Sequence, residues 1–192
     1  MRFPEKKLGS LAEIFAGMTG LGHKGNYTYQ VIQPNSFSDT GALYALEAQF
    51  QDEEVPSKQT LLPGDILVKR LNPSFVYVVT EKERGAVASQ NLLVVRPGSS
   101  IDPLYLAFLL EQREIIGQIE HMSGTAAAIK AISIKKVAEI SIPVPPIEDQ
   151  KRIGEIWRLS RRRKALLQSY IAENDKLVSM IATKIMMGQG EK

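Results

Sequence analysis

The sequence has 192 residues, of which 44% are hydrophobic, and it contains no cysteine. This size and composition predict one folded domain with an appended segment and argue against whole-chain disorder, and the lack of cysteine excludes disulfides, thiolate metal sites and cysteine nucleophiles. We expect a soluble, cytoplasmic protein with no membrane partner, because the N-terminus lacks the apolar core of a signal peptide and no uncharged apolar run reaches the ~18 residues of a membrane span.

The charges are unevenly distributed along the chain, although the formal net charge is only +3. Residues 1–150 hold 14 Lys/Arg and 17 Asp/Glu, whereas residues 151–192 hold 10 and 4. The basic excess is concentrated in one stretch: Lys151, Arg152, Arg158, Arg161, Arg162, Arg163 and Lys164. Such a cluster is either a phosphate-binding surface or a solvated helix face, and composition does not separate the two.

Residues 1–146 predict a mixed α/β domain. Six short runs rich in strand-forming residues, several of them bounded by Pro and Gly turn signals, are expected to be strands: residues 29–33, 43–49, 65–69, 75–79, 86–89 and 92–96. A helix is expected next, with Asp102 as its N-cap, Pro103 at its first position and apolar residues at helical spacing through Ile119. A last strand is expected over residues 140–144.

Residues 147–192 predict one long helix that pairs as a coiled coil. The segment from Ile147 to Met187 contains no proline, and the acidic Glu148 and Asp149 lie in the first turn, where they offset the helix dipole. At 100° per residue, apolar side chains form one broad stripe: Ile153, Ile156, Leu167, Tyr170, Leu177, Val178, Ile181 and Ile185. Because no sequence is left to cover this stripe, we expect a second helix to pack on it.

Two polar residues, Arg163 and Asn174, interrupt the stripe. Either they mark imperfect patterning at a bent or frayed point, or Asn174 fixes register and partner number, as a lone seam asparagine does in coiled coils. The expected helix-pairing interface consists of Ile153, Ile156, Leu167, Tyr170, Asn174, Leu177, Ile181 and Ile185.

The sequence shows no convincing set of catalytic residues. The histidines His23 and His121 are far apart in the chain, and the glycine-rich residues 17–22 lack the lysine of a phosphate loop. A metal-dependent nuclease using Asp65, Asp149 and Lys151 is the strongest enzyme alternative, but capping of a long helix also explains Asp149. We expect no catalytic activity, no cofactor and no metal site.

Polar side chains suited to reading DNA lie in the predicted loops. In the major groove, arginine and lysine pair with guanine edges, and asparagine and glutamine pair with adenine. The candidate DNA-binding residues from these loops are Lys24, Asn26, Tyr27, Lys69, Arg70, Asn72, Ser74, Gln90 and Asn91. They form a reading surface only if the fold brings the loops to one side of the domain.

A family resemblance is carried by the segment between Gly124 and Ile156. Its pieces are Gly124-Thr125, Ile132-Ser133 and the run Ile142-Pro143-Val144-Pro145-Pro146-Ile147-Glu148-Asp149-Gln150-Lys151-Arg152-Ile153, with weaker matches upstream at Leu8-Gly9, residues 64–68, residues 88–92 and Tyr105-Leu106. In this order they resemble the end of a target recognition domain of a type I restriction-modification DNA specificity subunit, passing into its spacer helix.

The sequence departs from that family in three ways. Asp149 stands where the family usually has Glu, and residues 125–131 lack the polar glutamine often found there, which leaves Lys130 as a candidate phosphate contact. The family's usual subunit has two recognition domains and two spacer helices, whereas this chain has one of each. It therefore resembles half a subunit, either a natural short form or a fragment.

The resemblance implies an α+β fold, with a target recognition domain over residues 1–146 and a spacer or dimerisation helix over residues 147–192. It also implies a non-catalytic protein that directs adenine methylation and restriction by partner subunits. The implied partners are double-stranded DNA, methyltransferase (modification) subunits, the restriction subunit, and a second half-subunit or second copy of the chain. Two identical copies would read a symmetric split target. A coiled-coil adaptor that does not read DNA stays open as an alternative.

Overall fold

The computed structural model describes residues 3–38, 41–70, 76–122 and 133–188, and for residues 119–122 it describes the backbone alone. The candidate residues Asn72, Ser74 and Lys130 lie outside the described residues, and so does the side chain of His121. The chain divides into two compact units, Met1–Trp157 and Arg158–Lys192.

The first unit is a mixed α/β domain. Its strands are β1 (Glu5–Lys7), β2 (Ala12–Ala16), β3 (Tyr27–Ile32), β4 (Glu47–Gln51), β5 (Ile66–Lys69), β6 (Val76–Val78), β7 (Val87–Ala88), β8 (Leu92–Pro97) and β9 (Ser141–Pro143). Its helices are α1 (Pro103–Leu110), α2 (Arg113–Met122) and α3 (Ile134–Ala138), and helix α4 (Ile147–Met186) begins in the same unit. None of the described helices is long and apolar enough to cross a membrane.

Two main sheets build the domain. An antiparallel sheet has the strand order β2-β8-β5-β6, and a smaller sheet has the order β4-β3-β7, in which β3 pairs antiparallel with β4 and parallel with β7. Strand β8 alternates between two hydrophobic clusters: Leu93 and Val95 belong to the one that includes α1, and Leu92 and Val94 to the other. The larger sheet is therefore covered on both faces, which explains its near-continuous apolar strands.

Each of the six predicted strand runs overlaps a strand of the structure. Among the described residues, strands β1 and β2 and helix α3 were not predicted. Strand β1 consists of three charged residues, so it lacks the apolar alternation by which strands are predicted. It pairs with β9. The single helix expected from Pro103 through Ile119 is wrong: α1 ends at Leu110 and α2 begins at Arg113. The N-cap is confirmed, since Asp102 Oδ1 accepts hydrogen bonds from the backbone of the first turn.

The start of helix α4 is anchored to the start of α1 by Gln150, whose side chain is only 1% exposed. Its Nε2 donates to the Pro145 carbonyl at 2.9 Å, and its Oε1 accepts from the Asp102 backbone N–H at 2.9 Å. One turn later, Gly154 is buried against Leu104. The compact unit therefore extends to Trp157, past the boundary at residue 146 drawn from the sequence.

Helix α4 carries apolar residues that pack against the domain core and apolar residues that are exposed. Ile153, expected in the pairing stripe, instead packs partly buried against the domain core, as does Trp157. Trp157 also donates from Nε1 to Glu111 Oε2 at 2.8 Å. The other residues of the expected interface are exposed: Ile156, Leu167, Tyr170, Asn174, Leu177, Ile181 and Ile185.

The close approach at Gly154 generates a stability prediction. A Cβ at this position would lie 2.7 Å from Leu104 Cβ and 2.8 Å from the Tyr105 backbone nitrogen, so Gly154→Ala should lower the free energy of unfolding by about 1–3 kcal/mol through overpacking. The control is Gly117→Ala in α2, where nothing lies within 4 Å, and it should raise stability by about 0.5–1 kcal/mol. Urea unfolding measures both, and equal effects of the two changes would contradict this packing.

Candidate nucleic-acid interface

Residues 17–22 connect the two outer strands of the smaller sheet. Met18 forms a parallel bridge to Ser89 beside β7, and Gly22 forms an antiparallel bridge to Phe50 in β4. Gly17 lies so close to the next segment that a Cβ there would be 2.2 Å from the Ser89 carbonyl oxygen. The glycine thus permits a close backbone approach, a use of glycine unrelated to phosphate binding.

Two of the predicted DNA-binding groups are brought into direct contact. The Arg70 backbone N–H donates to the Asn91 carbonyl at 3.0 Å, and Arg70 Nη1 donates to the Gln90 carbonyl at 3.0 Å. Lys69 pairs in register with Leu92, which follows the turn at residues 89–91. Arg70, the described part of the loop after β5, therefore lies against the turn before β8.

The third group, Lys24, Asn26 and Tyr27, lies at the other end of the segment that starts beside Ser89. Asn26 Nδ2 donates to the Asp52 carbonyl at 3.3 Å, and Tyr27 pairs with Gln51 in the β3–β4 register. Lys24, Asn26 and Tyr27 are all exposed.

Gln51 ties this end to the rest of the segment, since its Nε2 donates to the Thr19 carbonyl at 3.2 Å. The described members of the three groups are thus linked to one another through residues 17–22, Gln51 and the turn at residues 89–91. We call this surface the polar belt: residues 17–27, Gln51, Lys69, Arg70 and residues 89–91.

Sequence reasoning missed Thr19 and Gln51 as members of the polar belt. Gln51 was overlooked because the predicted strand ended at residue 49, whereas β4 ends at Gln51. Residues 17–22 carry closely spaced glycines, but this pattern was interpreted only against glycine-rich loops that bind phosphates and cofactors. Backbone bridges between residues far apart in the chain leave no periodic pattern in a single sequence, so these contacts could not be predicted from it.

The charge of the polar belt is mixed. Lys24, Lys69 and Arg70 supply positive charge, and the acidic residues Asp52, Glu53 and Glu54 directly follow β4. Phosphate contacts dominate the affinity of most DNA-binding proteins. A belt with this balance suits the reading of base edges better than strong nonspecific binding.

Asp65, the second acid of the nuclease alternative, is committed to a buried ion pair. Arg96 Nε donates to Oδ1 at 2.8 Å and Nη2 donates to Oδ2 at 2.7 Å, while the Leu62 backbone N–H also donates to Oδ2. This bidentate hydrogen bonding raises the pKa of the Arg96 guanidinium above its usual value.

Arg96 also connects Asp65 to neighbouring parts of the domain. Its Nη1 donates to the Lys58 carbonyl and its Nη2 to the Thr60 carbonyl, and the guanidinium lies 5.2 Å from the ring centroid of Phe15. The role of Asp65 is to hold these segments together.

The other residues of the nuclease alternative have partners on the surface of helix α4. Asp149 Oδ1 lies 3.5 Å from Arg152 Nη1, and Lys151 Nζ pairs with Glu148 at 3.0 Å. Within the described ranges, no three His, Asp or Glu side chains are grouped so that they could hold a metal ion. The geometry gives the nuclease alternative no support.

The chain matches a known family over most of its length. The family is described as the type I restriction modification DNA specificity domain, and the match covers residues 2–164. The chain belongs to this family. The resemblance recognised from the sequence is thereby confirmed, and the match includes the polar belt and the anchored start of helix α4.

Other members of this family resemble the chain in sequence and fold. A protein assigned as the type I restriction enzyme MjaX specificity subunit of Methanocaldococcus jannaschii is 26% identical over 159 residues, which is 79% of this chain and 37% of that protein. The crystal structure of the HsdS subunit from Thermoanaerobacter tengcongensis has a TM-score of 0.67 at 17% identity, covering 93% of this chain and 47% of that chain.

The type I S subunit from M. genitalium shares the fold as well, with a TM-score of 0.59 at 15% identity over 97% of this chain and 46% of that one. The chain therefore spans less than half the length of these relatives. The α+β fold with a long C-terminal helix is confirmed.

The buried ion pair generates a prediction about stability. Arg96→Met leaves the Asp65 carboxylate buried and unpaired, so the free energy of unfolding should fall by about 3 kcal/mol or more. The control is Arg84→Met, which removes an exposed pair with Glu81 and should leave stability nearly unchanged. Urea unfolding of both variants would contradict the structural role if Arg96→Met were as mild as the control.

Proposed function

We propose that the chain is a sequence-specific DNA-binding specificity subunit, or half-subunit, of a type I restriction-modification complex. It has no catalysis of its own and directs adenine methylation and restriction by partner subunits. The observation that carries this proposal is the polar belt, in which the described members of three groups separated in the sequence are linked by backbone bridges and hydrogen bonds. The family to which the chain belongs supports it.

Within the polar belt, the exposed amides of Gln90 and Asn91 have the chemistry that pairs with adenine edges in the major groove. Lys24, Lys69 and Arg70 add positive charge beside them. The side chain of Tyr27 is 42% exposed, which makes its ring available to the DNA. Asn72, Ser74 and Lys130, which lie outside the described residues, stay candidates for further contacts.

Helix α4 supports the second part of the proposed function, which is pairing with another subunit. Its apolar side chains are widely exposed, with Tyr170 at 75% and Ile185 at 74%. Contiguous exposed apolar surface of this kind marks an interaction site. We infer that the stripe pairs antiparallel with a second such helix, from another copy or from a different half-subunit, as a coiled coil in which Asn174 helps to set the register.

The proposed complex has three kinds of protein partner. The second helix would bring a second recognition domain to the other half of a split DNA target. Modification subunits would dock around the paired helices and methylate adenine, and the restriction subunit would join a complex that cleaves. Their contacts with DNA would supply much of the phosphate binding that the mixed charge of the polar belt does not provide.

Selection from random duplexes at low ionic strength tests the reading function. The full chain should enrich a defined sequence, and Asn91→Ala should reduce discrimination at one base pair by about tenfold. Lys24→Ala should instead weaken all sequences alike and lower the salt slope by about 1, while Lys82→Ala, an exposed lysine outside the polar belt, serves as the unchanged control. Enrichment of no sequence would favour the coiled-coil adaptor.

Light scattering across a concentration series tests helix pairing. The full chain should be a dimer, and Leu177→Asp or Ile181→Asp should shift it to a monomer because a charge would be buried in the stripe. Lys176→Asp, an exposed change of charge on the opposite side of the helix, is the matched control and should leave the dimer intact. A monomeric chain would instead indicate that the stripe is reserved for a different subunit.

A further inference from the structure

We propose that Arg70 is a positioning residue, which holds the turn at residues 89–91 so that Gln90 and Asn91 present their amides to base edges. The inference rests on the proposed DNA-reading function and assigns a new role to one of its residues. In this role Arg70 acts through Gln90 and Asn91 and makes no base contact itself. The decisive geometry is the double contact of Arg70 with the two carbonyl groups of the turn.

The backbone of the turn is held from several directions. Ser89 N–H donates to Ile32 at 2.9 Å, Gln90 N–H donates to Met18 at 2.8 Å, and Leu92 N–H donates back to Ser89 at 2.9 Å. These bonds fix the donors of the turn against strand β3 and residues 17–22. The carbonyls of Gln90 and Asn91 point elsewhere, and Arg70 binds both of them at 3.0 Å. Its side chain therefore supplies the contact to Gln90 that the strands do not.

The side chains on this fixed backbone are free to bind a ligand. Gln90 and Asn91 are exposed, and among the described residues neither amide takes part in a hydrogen bond within the protein. A bidentate contact with adenine requires the amide to be held within a narrow range of positions. A backbone fixed before binding lowers the entropy that such a contact costs.

Part of the Arg70 guanidinium is committed to the protein. Its Nε atom is buried and has no hydrogen-bond partner among the described residues, while its Nη1 donates to the Gln90 carbonyl. A bidentate contact with guanine or phosphate through the Nε edge would require that edge to be accessible. The buried Nε thus favours a positioning role over direct contact with DNA.

Sequence selection with matched variants tests the role of Arg70. Gln90→Ala should reduce discrimination at one base pair by about tenfold. Arg70→Ala should reduce discrimination at the same base pair or its neighbour read by Asn91, with the salt slope unchanged. The double variant should be no worse at the Gln90 base pair than Gln90→Ala alone, since Arg70 acts there through Gln90. Circular dichroism melting checks that each variant is folded.

Arg70→Lys keeps the charge but loses the planar fork, and it is the milder variant if Arg70→Ala fails to fold. It should show the same positional loss. A uniform loss of affinity with a salt slope lower by about 1 would identify a phosphate contact and overturn the inference. Unchanged selectivity in both Arg70 variants, or a loss at an unrelated base pair, would overturn it too. If the wild-type chain enriches no sequence, the proposed function fails, which is a different result.

Discussion

The buried amide of Gln150 anchors the first turns of helix α4 to the rest of the compact unit Met1–Trp157. It connects the Pro145 carbonyl, just before helix α4, to the N-cap residue of α1, so both helices start from one hydrogen-bonded unit. Both ends of the amide are satisfied in a buried site, which restricts the geometry to one arrangement. Gly154 allows the close approach that this arrangement requires. The first turns of α4 are therefore oriented by the packing of the domain itself.

The polar belt is held together by contacts between backbone segments that are distant in the sequence. Residues 17–22 join strands β7 and β4 through isolated bridges, and Gly17 permits the approach to Ser89. The buried pair of Asp65 and Arg96 holds the larger sheet to the segment around Thr60. The side chains of Gln90 and Asn91 are thus displayed from a turn whose backbone is held by hydrogen bonds, which favours the narrow geometry of specific recognition.

Patterns local in the sequence predicted much of the fold. The six strand runs, the Asp102 cap and the long helix followed from alternation, turn residues and helical spacing. The charged strand β1 did not, because its pairing with β9 decides it. The break between α1 and α2 did not either, since neither proline nor glycine marks residues 111–112. The proximity of Arg70 to Gln90 and the burial of Ile153 were equally hidden, since contacts between distant residues leave no periodic signal in a single chain.

If DNA binds at the polar belt, a selected duplex should shield the lysines there, and lysine acetylation read by mass spectrometry with and without that duplex measures the shielding. Because the surface is defined by residues 17–27, Gln51, Lys69, Arg70 and residues 89–91, bound DNA should protect Lys24 and Lys69. Lys58 and Lys82, which lie outside the belt, should react as before. Protection confined to the basic start of helix α4, at Lys151 and Lys164, with Lys24 and Lys69 fully reactive, would show that DNA binds elsewhere.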